Sequence, residues 1–237
     1  MLRTRQPLPG RVPRGLSLVE LLVGIAVGMF VVASAAMLVS AQLNDNRRLL
    51  LETQVQQDLR AAADIVTREL RRVGHWPGAA GFVWAPGAAP SINPYATVQV
   101  DAGPPTEVGF SYWRREAEDG PYGFKQDGSV LKTLLRAGGW QELTDGNTLR
   151  ITAFRVTPRD VPGPPTRLPC PKMCPPPGGP EDCWPTLTVR ELEVEIEGEA
   201  ASDPSVKRSL RSVVRLRNDL VQFKVPDPDA PTQACPD

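Results

Sequence analysis

The chain has 237 residues, 41% of them hydrophobic, with 27 basic and 27 acidic side chains, enough for one membrane helix and one modest globular domain. Balanced charge argues against a general nucleic-acid binder, whose usual footprint is a strong basic excess, so no nucleic-acid partner is expected. The single histidine excludes a two-histidine metal site. No Gly-rich loop joins a strand to a helix and no G-x-S-x-G elbow is present, so the sequence predicts no enzyme and calls for no cofactor or metal.

The first fifteen residues form a basic leader carrying Arg3, Arg5, Arg11 and Arg14 and no acid; without them the chain has 23 basic and 27 acidic side chains, about −4. Leu21 to Val39 follows as nineteen uncharged residues. At about 1.5 Å per residue, a helix from Leu16 to Val39 extends roughly 36 Å, enough to cross a hydrocarbon core of about 30 Å with some tilt. Arginines on the N-terminal flank place that end in the cytoplasm and everything after Val39 outside.

Glu20, at the head of this run, admits two readings. Ser17-Leu18-Val19-Glu20 fits the S-x-x-E capping box, and an acid in the first turn suits the helix dipole. Alternatively, cleavage between Gly15 and Leu16 would create an α-amine one helical turn from Glu20, and such amines pair with such carboxylates in a neighbouring copy. The cap alone explains neither the basic leader nor the length of the apolar run. A conventional secretory signal, cut after Ala33-Ser34-Ala35, is a competing reading. Against it stand an apolar run longer than the usual 7–15 residues or so and Glu20 at its start. An unprocessed signal anchor is a third.

Arg14-Gly15-Leu16-Ser17-Leu18-Val19-Glu20-Leu21-Leu22 resembles the type IV prepilin signal. The resemblance implies cleavage after Gly15 by a membrane-embedded prepilin peptidase, N-methylation of Leu16, and use of Glu20 in docking to other pilins. Leucine stands at 16 where the family usually has phenylalanine; a bulky apolar residue is kept.

From Ala41 the pattern becomes amphipathic without a helix breaker. Leu51, Val55, Leu59, Ala62, Val66, Leu70 and Val73 recur at spacings of three and four, one stripe on one face. Gly74 supplies a stop, with Pro77 beyond it. One helix from Leu16 to Val73 is predicted, membrane-embedded over 16–40 and amphipathic over 41–74, its stripe packed on the sheet of a head spanning 75–237. Gly24 and Gly28 form a G-x-x-x-G that permits close helix approach.

His75 to Pro105, rich in proline and glycine, reads as a long surface loop. Strands are predicted around Val108, Phe110 and Tyr112, over Val130–Leu135 and over Leu149–Val156, with short links that favour an antiparallel arrangement. Pro158 to Pro185 contains eleven prolines, which excludes a central strand or a helix interior. It also holds Cys170, Cys174 and Cys183, with Cys235 near the end. Outside the cytoplasm four cysteines allow two disulfides in three pairings; their spacing is a poor match to a zinc site.

Leu192, Val194 and Ile196 alternate with glutamates, and Leu210, Ser212, Val214 and Leu216 alternate with Arg211, Val213, Arg215 and Arg217. Joined by Gly198 to Ser205, the two segments predict a hairpin whose solvent face sets glutamates against arginines.

Thr67-Arg68-Glu69-Leu70-Arg71-Arg72-Val73-Gly74 and Val214-Arg215-Leu216-Arg217-Asn218 are similar to the helix end and closing strand of PilW-type minor pilins. The resemblance implies an α+β, type IV pilin-like fold. It also implies a single-pass inner-membrane subunit with a periplasmic head, which joins a pilus and takes part in initiating its assembly. A J-like pseudopilin of type II secretion fits the same sequence, as does a tip adhesin or DNA-uptake subunit binding through the proline-rich loop.

Overall fold

The computed structural model describes residues 15, 17–81, 92–100, 106–115, 119–174, 176, 178–223 and 235. Leu16 and the arginines of the leader lie outside the described residues. Among the described residues one α-helix, α1 (Leu18–Leu70), is followed by eleven strands: β1 (Val98–Val100), β2 (Glu107–Phe110), β3 (Tyr122–Asp127), β4 (Val130–Leu135), β5 (Trp140–Glu142), β6 (Leu149–Arg159), β7 (Thr166–Arg167), β8 (Thr186–Thr188), β9 (Glu191–Ala200), β10 (Asp203–Arg215) and β11 (Leu220–Gln222). Residues up to Leu49 belong to one compact unit and those from Leu50 to another.

Three sheets build the second unit: the meander β1-β2-β3-β4-β5, the triplet β10-β9-β6 and the small triplet β11-β8-β7. All described pairings are antiparallel. This is the expected α+β architecture, a long N-terminal helix and an antiparallel head.

The stripe on α1 supplies the core. Val55, Leu59, Ala62, Val66 and Leu70 are buried, with Ala63 and Thr67 beside them, and join Phe154, Val156, Leu192, Val194, Ile196 and Val214 from the central triplet. On β9 the inward face shrinks along the strand, from Ile196 to Gly198 to Ala200. A Cβ at Gly198 would stand 2.8 Å from Leu149 Cδ1 and 3.4 Å from Leu59 Cδ2; the missing side chain is what lets the helix and β6 approach. Glu52 on the helix meets Arg208 of β10.

The outer face of the triplet is the predicted charge ladder. Arg211 lies opposite Glu195 in the register and reaches both Glu195 (3.1 Å) and Glu193 (3.5 Å). Arg155 on β6 reaches Glu195 from the other side at 3.1 Å. The hydrogen bond from Arg211, reinforced by that from Arg155, holds the Glu195 carboxyl below its ordinary range against an opposing desolvation.

The structure corrects three readings. The predicted loop between His75 and Pro105 contains β1, an edge strand of the meander. The stretch from Gly198 to Ser205, read as the link of the hairpin, is mostly strand, with β9 running to Ala200 and β10 starting at Asp203; the proline-rich stretch, by contrast, contributes β7 as an edge strand paired with β8, the position its prolines allow. The hairpin is not the last element, since β11 returns to pair with β8.

Candidate functional site

At the start of α1 the capping box is formed. The Ser17 amide donates to Glu20 Oε2 at 3.1 Å and the Glu20 amide donates to Ser17 Oγ at 3.2 Å, so two of the orphan amides of the first turn are satisfied reciprocally. Gly15 is exposed and precedes the helix. Ser17 is therefore the N-cap and Glu20 its reciprocal partner through Oε2, and Glu20 Oε1 makes no hydrogen bond among the described residues.

Every described residue from Ser17 to Leu50 is exposed. Phe30 is 75% accessible, whereas Leu59, on the same helix, is wholly buried. Gly24 and Gly28 face open space. The two hydroxyls of the apolar half bond back along the helix, Ser34 Oγ to Phe30 O at 2.8 Å and Ser40 Oγ to Ala36 O at 2.9 Å. Neither hydroxyl is left without an acceptor, which is the condition a bilayer interior would impose. By length and composition α1 is the one helix among the described residues able to cross a membrane.

The cysteines belong to the other unit, where Cys170 is joined to Cys235 and Cys174 to Cys183. By loop entropy alone, ring sizes of 65 and 9 residues correspond to about 4 and about 2.6 kcal/mol.

A second constellation, which the sequence did not single out, lies where α1 ends. Gly74 adopts φ 72°, the left-handed turn that glycine makes without strain. The carbonyls left over are capped from far along the chain, Val73 O by Asn218 Nδ2 at 2.8 Å and Gly74 O by Asn93 Nδ2 at 2.7 Å. The Gly74 amide donates to Ser111 O and the Trp113 amide to His75 O. These bonds bring Arg71, Arg72, His75, Trp113, Arg114, Arg217 and Asn218 around an open groove of about 280 Å³. It continues past Arg68 and Glu69.

Glu69 is the acid of this groove. Its Oε2 accepts from Tyr112 Oη at 2.6 Å, and its Oε1 lies 3.3 Å from Arg72 and 3.8 Å from Arg68. The Arg72 guanidinium also sits 5.0 Å from the Tyr112 ring centroid. Burial first, and the bond to Glu69 second, push the Tyr112 phenol well above its ordinary value. Arg71, Arg114 and Arg217 have no ion-pair partner among the described residues. Sequence order hides this grouping, because the contributing segments are separated by up to 145 positions.

A family model described as prepilin peptidase-dependent protein B matches residues 48–216. No curated protein and no solved structure matches the chain. The matched span excludes the prepilin-like motif, so the motif and the family match are independent observations.

Proposed function

The chain belongs to the prepilin peptidase-dependent protein B family, and from that premise we propose that it is a minor pilin of the PilW type, an inner-membrane subunit that takes part in initiating pilus assembly. Its role is structural rather than catalytic. Prepilin peptidase cuts after Gly15, Leu16 is methylated, and the head faces the periplasm before the subunit joins the fibre. The observation that carries the reading is a helix uncovered on all sides from Leu18 to Leu50, headed by one carboxylate that still has a free oxygen. Such a surface needs lipid or other helices around it. In storage the bilayer covers it; on assembly it passes into a bundle of neighbouring helices, and Glu20 Oε1 receives the amine of another subunit while Oε2 keeps the cap.

The test is Glu20→Ala in the host. Insertion and cleavage after Gly15 are expected to be unchanged, read from membrane fractions and N-terminal sequencing, while incorporation into sheared pili falls. Normal recovery of the variant in sheared pili would overturn the reading.

A further inference from the structure

We propose that the groove at the end of α1 binds a single strand of nucleic acid through its phosphodiester backbone, with Trp113 and His75 as ring faces for a base. This goes beyond the assembly role and does not depend on it, since it is measured on the isolated chain.

Three observations carry it. The first is local charge. Without its leader the chain carries a net charge of about −4, and on the outer face of the triplet Arg155, Arg211 and Arg215 each have an acidic partner. At the groove Arg68 and Arg72 share Glu69, while Arg71, Arg114 and Arg217 have no carboxylate partner among the described residues. Cations near a helix C-terminus are stabilised by its dipole, which accounts for Arg68, Arg71 and Arg72 but not for Arg114 and Arg217, brought in from other segments.

The second is the presence of rings. The His75 and Trp113 centroids lie 6.4 Å apart and line the same groove as four arginines. A cationic groove with accessible ring faces is the general pattern for unpaired nucleic acid.

The third decides against an acidic peptide. An extended peptide gains much of its affinity by adding to an open backbone edge, and here the backbone is already engaged. The Gly74 and Trp113 amides are bonded to Ser111 and His75 carbonyls, and Asn218 is spent on Val73 O. What remains for a ligand is guanidinium charge and ring face.

The experiment uses the full chain in detergent and a fluorescein-labelled oligothymidylate about twenty nucleotides long, read by anisotropy. Three phosphate contacts at a slope of about −0.7 each give a log–log salt slope near −2, roughly a twentyfold loss between 50 and 200 mM salt. Arg71→Gln, Arg114→Gln and Arg217→Gln together are expected to weaken binding at least tenfold and flatten the slope. Arg211→Gln with Arg215→Gln, on the ladder, is expected to leave it unchanged. Should the triple variant fail to fold by circular dichroism, the single exposed change Arg114→Glu is expected to weaken binding at least threefold. Three results would overturn the proposal: no binding at 50 mM salt, equal loss from the ladder variants, or an oligoglutamate peptide competing as well as unlabelled oligothymidylate.

Discussion

The two halves of α1 share one backbone and differ in what covers them. Up to Leu50 no side chain is buried; from Val55 on, one face disappears into the head. Composition sets the contrast. The first half is apolar on every side from Leu21 to Val39, so no single face there is selected for packing, whereas the second confines its apolar residues to a stripe that fits one surface. Stability of the head is therefore invested in the second half, and the first is left for whatever medium or partner surrounds it.

The sharpest way to break this contrast is to make the same cut in both halves. Leu59→Ala is expected to destabilise the head by about 2–5 kcal/mol, since the side chain is wholly buried against β9. Leu22→Ala is expected to change head stability by less than about 0.5 kcal/mol. Urea unfolding followed by tryptophan fluorescence distinguishes them, and equal losses would abolish the distinction.

A smaller effect sharpens the description of where the covered half ends. Tyr112→Phe removes a buried hydroxyl bonded to a carboxylate, a loss of about 1.5–3 kcal/mol at neutral pH. The sign of its pH dependence follows from the raised phenol. The folded state holds this proton more tightly than the unfolded chain. The contribution is thus complete below about pH 10 and is lost as pH rises towards the folded value. Melting temperatures of the wild type are expected to fall more steeply than those of Tyr112→Phe above that pH; parallel curves would show that the bond is not what holds the proton.

The smallest effect belongs to the uncovered half. Ser17→Ala removes one side of the capping box, about 1 kcal/mol, and is expected to speed amide exchange at Glu20 roughly fivefold without moving the unfolding midpoint of the head. A shift of that midpoint would mean that the two halves are not energetically separate.

What could be read before the structure was whatever repeats locally. The stripe from Leu51 and the alternation over β9 and β10 each write their period into consecutive residues; the helix follows its stripe as far as Leu70, three residues short of the predicted end at Val73, and the two strands run past the predicted arms of the hairpin to Ala200 and from Asp203. The segments that escaped have no such period. β3 carries Tyr122, Gly123 and Phe124 in succession, all buried, and β1, β5, β7, β8 and β11 are two or three residues long; each is a strand because a neighbour offers an edge. The same holds for the sites. Glu20 and its cap are separated by three residues and could be read directly. The arginine groove is built from contacts between positions far apart, and choosing among three cysteine pairings likewise requires knowing which loops meet.

The link between Cys170 and Cys235 also changes the covalent topology of the head. β8, β9, β10 and β11 all lie within the closed ring it makes. A single peptide-bond cleavage anywhere inside that ring opens it without releasing a fragment, so a nick in an exposed turn converts the chain to two polypeptides that remain one molecule until the bridge is reduced.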